Sequence, residues 1–342
     1  MTNTQAARSA QRAASADVNP AASQHASLGA TPDTRLLSAA VQPTTGVTRS
    51  HADPVRQVTA PAVRWQGAHA SPTEEELVAE EPLEVRGALS VGSDASSGDA
   101  PTPDATIAVI MRTPGHDEEL ALGFLFGEGL LFGGDEIAAV RAGVDADGLP
   151  SPNIVEVVTA RGVDLARRAQ DAGYSRQFAV NASCGVCGKN SVAAACASLP
   201  PLPFDDFAVA PTTLYGLPDR LRAEQRVFSY TGGLHGAALF DARGELLAMR
   251  EDIGRHNAVD KLIGRSLLDG ALPLRDRVLL VSGRLSFEII LKALAAGIPI
   301  VAAVSAPSSL AVDLADAGGV TLAAFLRGDH VNVYTHPQRI RE

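Results

Sequence analysis

Cys184 and Cys187 stand in the segment ASCGVCGKN, residues 182–190. Two thiols separated by two residues serve three chemistries: half of a zinc site, a thiol–disulfide pair, or a nucleophilic sulfur that carries cargo. A structural zinc site needs four ligands, usually as two close pairs. The third cysteine, Cys196, falls alone on what reads as the following helix, where a small core residue is its natural role. A zinc deaminase joins an H-x-E to P-C-x-x-C, and Ser183 stands where that proline belongs. Zinc is thereby left to a distant histidine. A thioredoxin-type pair opens a helix in an early βαβ unit, whereas this motif follows a long stretch of other structure. Gly185 and Gly188 expose backbone N–H groups, and Lys189 sets a cation beside the thiols. Both features lower a thiol pKa and favour the thiolate nucleophile. The plain structural alternative is two small residues in a glycine-rich turn.

Further candidates lie downstream. In TGGLHGA, residues 231–237, His235 sits among glycines that permit close backbone approach, and it suits acid, base or donor roles as well as a polar loop position. In REDIGRHNAVDK, residues 250–261, charges crowd one helix start. A solvated helix end explains such a cluster, yet Gly254 followed by Arg255 and His256 is also an anion-binding arrangement. VSGRLSFE reads as a strand ending in Ser282-Gly283-Arg284 and a helix capped by Ser286, while FLRGDH closes the last long strand with Arg327 and Gly328. Ligands of open α/β sheets gather beyond the carboxyl ends of strands. Arg284 and Arg327 on one such rim suggest a phosphate-bearing ligand.

The elements that must position these residues follow from periodicity. Residues 1–55 are rich in Ala, Ser, Thr, Gln and Pro and read as a disordered tail. EELVAEEPLEVRGALSV and ATIAVIMR read as a hairpin around a polar loop at 92–104, followed by a helix in GHDEELALGFLFGEGLL. NIVEVVT and RQFAV are further strands, with the cysteine loop between RQFAV and a helix NSVAAACAS. LPPLPF marks a linker, and TLYGLPDRLRAEQ a short helix with an internal break. From about residue 228, a hairpin (237–252) precedes alternating apolar strands and helices, which implies a mostly parallel sheet covered on both faces. The division expected is a tail at 1–55, an α+β portion at 56–175, and an α/β domain at 176–342.

Composition bounds the function. The chain has 342 residues and a net charge of −10, which disfavours a nucleic-acid partner and obliges any anionic ligand to find a local cluster of Arg and Lys. Three cysteines are too few and odd for a disulfide framework, and free thiols fit a reducing compartment. No uninterrupted apolar run reaches the roughly 20 residues that span a bilayer. No basic segment followed by an apolar one opens the chain. A cytoplasmic protein without a membrane partner or a tightly bound structural metal is expected, although the Arg- and Ser-bearing, acid-poor start also fits an organelle transit peptide.

Seven stretches in this order resemble the formate dehydrogenase accessory sulfurtransferases, the FdhD/NarQ family. They are EEPLEVR, MRTPGHDEELALGFLFGEGLL, SCGVCG, TGGLHGAALF, REDIGRHNAVDKLIG, SGRLSFEIILKALAAGIPIVAAVSAPSSLAVDLA and FLRGDHVNVYTHPQRI. The resemblance implies a sulfur carrier that takes sulfane sulfur from a cysteine desulfurase. It would deliver that sulfur to the molybdenum or tungsten bis(molybdopterin guanine dinucleotide) cofactor, its acceptor substrate, before insertion into formate dehydrogenase. It further implies a cytidine-deaminase-like α/β sandwich without zinc chemistry, and a homodimer. By this match Cys184 forms the persulfide and Cys187 assists or substitutes. Phe325, Leu326, Arg327, Gly328, Asp329 and His330 match the cofactor-binding stretch, with its guanine-nucleotide moiety as ligand. His235, Arg255, His256 and Arg284 are additional site candidates. The tail and the loop near 93–104 exceed the family's usual length, so no role transfers to them. The rival reading is a non-catalytic chaperone that only holds the cofactor or the apo-dehydrogenase.

Overall fold

The computed structural model describes residues 56–89, 105–173, 179–180, 200–203 and 205–342. The expected tail, the loop at 92–104, both motif cysteines and the helix NSVAAACAS lie outside these residues.

Strands β1 (Gln57–Gln66) and β2 (His69–Val78) pair antiparallel as a separate two-stranded ribbon. The apolar run at 75–91, expected as one strand, is therefore divided. Its start belongs to β2 and its remainder to β3 (Glu81–Leu89). The division falls at Ala79, a buried residue whose amide donates to Arg56 O at 2.8 Å.

The hairpin of β3 with β4 (Ala105–Arg112) is present and antiparallel. It forms the middle of a five-stranded sheet in the order β5–β6–β3–β4–β7, where β5 is Ile137–Val144, β6 Pro150–Thr159 and β7 Ala179–Val180. Helices α1 (Asp117–Gly127) and α2 (Leu165–Asp171) share a core with this sheet that includes Leu83, Val85, Val157, Leu120, Leu125 and Leu165. Arg112 is 1 % exposed, an acceptable state because its guanidinium is ion-paired and hydrogen-bonded through all three nitrogens. It forms a fork on Asp117 at 2.9 and 3.1 Å and also donates to Asn153 Oδ1 and the carbonyls of Glu81 and Pro152.

Helix α3 (Pro211–Glu224) runs unbroken through Pro218, contrary to the break expected there. A proline inside a helix costs about 3 kcal/mol. Burial of Leu214, Leu217 and Leu221 on one face outweighs this at roughly 1.5–3 kcal/mol each. A short helix α4 (Arg226–Thr231) follows.

The second sheet has six strands in the order β13–β12–β11–β10–β8–β9. They are β8 (His235–Phe240), β9 (Leu246–Asp252), β10 (Val278–Val281), β11 (Ile300–Ala303), β12 (Thr321–Arg327) and β13 (His330–Val333). Only the neighbours β10–β11 and β11–β12 are parallel; the other three pairings are antiparallel. The expectation of a mostly parallel sheet is thus corrected. Parallel neighbours need a crossover, and crossover helices join only these three strands: α6 (Phe287–Ala296) and α7 (Ser309–Ala317). Residues alternating along the strands enter two cores. Leu279, Val281, Val301 and Leu322 join α6, α7 and α5 (Arg255–Leu268), while Val278, Leu280, Ile300 and Ala323 join α3. Coverage of both faces explains why these strands read as continuous apolar runs.

Helices α1 and α5 cross with backbones in contact. A Cβ on Gly123 would lie 1.8 Å from Asp260 O, and one on Gly264 would lie 1.8 Å from Glu119 O. That crossing joins the helix layer of the first sheet to that of the second.

Candidate functional site

The parallel strands β10, β11 and β12 all end at one edge of the six-stranded sheet. Because β8 runs antiparallel to β10, its first residue, His235, lies at that same edge, and the register pairs His235 with Asp252 at the end of β9. Ser282–Arg284 follow β10, Val304 and Ser305 follow β11, and Arg327 ends β12. Chain topology therefore gathers His235, Arg255, His256, Arg284 and the 325–330 stretch on one rim. β10 and β12 are two strand spacings apart, roughly 10 Å.

His235 is half-buried. A Cβ at Gly283 would lie 3.3 Å from its Nδ1 and 3.9 Å from Arg255 Cδ, so both side chains meet over that turn. Burial, and next the charge of Arg255, hold the imidazole below its ordinary pKa; Arg284 acts in the same direction and Asp252 against it. At neutral pH His235 is thus an uncharged donor and acceptor among cations. Arg255 opens α5, and its buried Nε has no hydrogen-bond partner among the described residues.

His256 is buried, with Nε2 2.9 Å from Ser286 Oγ and 3.8 Å from Glu288 Oε2. The expected Ser286 cap is present by position only. Ser286 immediately precedes α6, but its side chain makes no cap hydrogen bond and meets His256 instead. Burial pushes the Glu288 carboxyl up, but hydrogen bonds, including one from Ser286, and the charges of His256 and Arg255 outweigh this and hold it below the usual range.

The 325–330 stretch separates into two parts. Leu326 is fully buried, and Phe325, at φ 55, packs against the core of α5–α7 beside a β-bulge. Arg327, Gly328, Asp329 and His330 are exposed. Gly328, at φ 54, and Asp329 form the two-residue turn into β13, while Arg327 Nε donates to Val304 O at 3.4 Å. Of the six, these four are open to solvent.

The charge cluster at 250–261 is not the solvated helix end that such clusters usually form. Asp252, His256, Asp260 and Lys261 are all buried. Asp252 accepts from Lys261 at 2.7 Å, from the Thr113 amide at 3.2 Å, and from Gly254 N and Asn257 Nδ2 at 2.8 Å each. Thr113 follows β4, so this hub ties the first sheet to the rim of the second. Its sequence signal was present in the charge density, but the partner came from residues 139 positions away.

One H-x-E triplet, His116-Asp117-Glu118, occurs upstream of the cysteines. It opens α1, where Asp117 is held by Arg112 and His116 Nδ1 lies 3.5 Å from Glu119. Among the described residues no three His, Cys, Asp or Glu side chains cluster as metal ligands, and no helix is long and apolar enough to cross a membrane. A cavity of about 600 Å³ opens at the rim between α3–α4 and residues 232–235, with Ser282 and Val304 in its wall. Nothing in the periodicity marks it.

The sequence matches the FdhD/NarQ family over residues 102–341. It is 49 % identical over 283 residues to a sulfur carrier protein FdhD of Streptomyces avermitilis, covering 81 % of this chain and 93 % of that protein. It is 51 % identical over 269 residues to a sulfur carrier protein FdhD of Mycolicibacterium paratuberculosis, covering 78 % and 92 %. Its fold is like that in the crystal structure of a protein from Desulfotalea psychrophila assigned as a formate dehydrogenase accessory protein. The TM-score is 0.62 at 24 % identity, over 84 % of this chain and 100 % of that one.

Proposed function

Because the chain belongs to the FdhD/NarQ family, we propose that it is a sulfur carrier acting in the maturation of a formate dehydrogenase. Cys184 takes sulfane sulfur from a cysteine desulfurase. Its thiolate attacks the terminal sulfur of the donor persulfide, a new S–S bond forms at Cys184, the donor S–S bond breaks, and the donor cysteine leaves as thiolate. The acceptor substrate is the molybdenum or tungsten bis(molybdopterin guanine dinucleotide) cofactor, whose guanine-nucleotide part rests at the arginine-bearing rim. The name of the curated relatives supports the sulfur-carrying half of this reading; the dehydrogenase and the cofactor come from the motif resemblance. The homodimer and the deaminase-like sandwich belong to the same reading.

One observation supports pairing a cysteine carrier with this rim. β7 lies parallel to β4, with Val180 opposite Ile110. Three residues past Ile110 is Thr113, bonded to Asp252 at the rim. Val180 is the last described residue before the segment that holds Cys184 and Cys187. Strand β4 therefore touches both the last described residues before the cysteine segment and, through Thr113, the Asp252 hub.

The test is mass spectrometry of Cys184 and Cys187 after incubation with a desulfurase and cysteine. One added sulfur on Cys184 is expected. A folded Cys184→Ala, Cys187→Ala double variant that matures formate dehydrogenase as well as wild type would refute the carrier and favour the non-catalytic chaperone.

A further inference from the structure

The rim cavity contains a donor that no described residue satisfies. Gln225, at the junction of α3 and α4, is 4 % exposed and lines the cavity, and its Nε2 has no hydrogen-bond partner among the described residues. It is pressed onto β8, since a Cβ on Gly236 would lie 2.7 Å from that Nε2. An unmet buried donor costs on the order of 1–3 kcal/mol, so its retention in a cavity wall points to a ligand acceptor. A second donor is beside it. Ser282 Oγ accepts from Gly236 N at 2.9 Å, which leaves the hydroxyl hydrogen for a ligand. The adjoining wall is flat and cationic, because the Arg222 guanidinium stacks on Phe228 at 4.0 Å. Such a wall suits a planar heterocycle.

Two neighbouring donors beside a stacking wall match the edge of a 6-oxopurine, whose O6 and N7 are both acceptors; adenine presents an amino donor in place of O6. We infer that Gln225 is the residue by which this cavity selects a 6-oxopurine over adenine. This deepens the nucleotide half of the proposed function and rests on it. Gln225 reads the 6-position, Ser282 supports N7, and the base lies on Arg222 and Phe228.

Calorimetric titration of the full-length protein with GDP, IDP and ADP tests the assignment. Wild type is expected to bind GDP and IDP comparably and ADP on the order of tenfold or more weakly. Gln225→Leu should weaken GDP about tenfold and reduce the GDP-to-ADP ratio towards one. Gln225→Glu keeps the shape but replaces the donor by an acceptor, and should reverse the preference towards ADP. A merely structural role would lower both affinities together and leave their ratio alone. An unchanged ratio in both variants overturns the assignment while leaving the nucleotide site intact. Absence of binding by any of the three nucleotides to wild type overturns the nucleotide reading, and this assignment with it, without touching persulfide formation at Cys184.

Discussion

Asp252 and Lys261 form an ion pair of 2.7 Å with side chains 0 % and 1 % exposed, at the seam between the five-stranded sheet and the rim of the six-stranded one. Lys261 also donates to Thr113 O at 3.0 Å, so both partners hold the turn after β4. Breaking such a pair leaves an uncompensated charge, which costs about 3–5 kcal/mol. Lys261→Met is therefore expected to lower unfolding stability by that amount, read from the denaturant midpoint. Adding Asp252→Asn removes the stranded charge and should recover part of the loss. Equal stability of the single and double variants would contradict this account.

The α1–α5 crossing predicts a contrast between glycines. Gly123→Ala places a methyl into the Asp260 carbonyl, which neither helix avoids without moving, and should cost at least about 3 kcal/mol. Gly129 has φ +71 with nothing within 4 Å of a Cβ, so Gly129→Ala should cost only about 1 kcal/mol from backbone strain. Thermal unfolding of the two variants measures the difference.

Glu119 links stability to acid. Burial raises its carboxyl pKa, but the Arg250 fork at 2.5 and 2.7 Å and the nearby His116 outweigh this and hold it at about 2. A carboxylate with a depressed folded pKa stabilises fully above its unfolded value near 4.5 and loses that contribution as pH falls towards about 2. Discounted for partial solvent screening, the loss is on the order of 2 kcal/mol. Wild type should lose this increment between about pH 5 and 2, and Glu119→Gln should show a flatter profile in that window. Identical profiles would rule the link out.

Arg327 tests the anion rim separately from the cysteines. Its side chain is exposed, with one long hydrogen bond to Val304 O at 3.4 Å. Arg327→Ala should leave the melting temperature within about 1 °C and weaken GDP on the order of tenfold. Persulfide loading from a desulfurase should continue. Unchanged GDP affinity would remove Arg327 from the site.

Much of the C-terminal fold is legible because its strands are short apolar runs divided by glycine-bearing turns and helices with apolar residues at helical spacing. The hairpin at β8–β9 and the alternation through β12 emerge from that pattern. The β1–β2 ribbon is not legible in the same way. Pro61 and Pro72 interrupt its pattern, and most of its residues are exposed, so no buried face imprints a period on the sequence. Pro218 misleads for the opposite reason, since its local penalty is visible in the sequence and the leucine burial that offsets it is not.

The same distinction governs the site. The sequence by itself determined the chemical types, with thiols in a glycine-rich loop and arginines, histidines and glycines after strands, because local spacing encodes turns, caps and strand ends. Tertiary structure alone decided which of these share an edge, that Asp252, His256, Asp260 and Lys261 are buried, and that Gln225 faces a cavity with no acceptor among the described residues. These depend on contacts between residues far apart in sequence, such as Thr113 with Asp252. Periodicity within a single element does not report desolvation, because the groups that exclude water from it come from other parts of the chain.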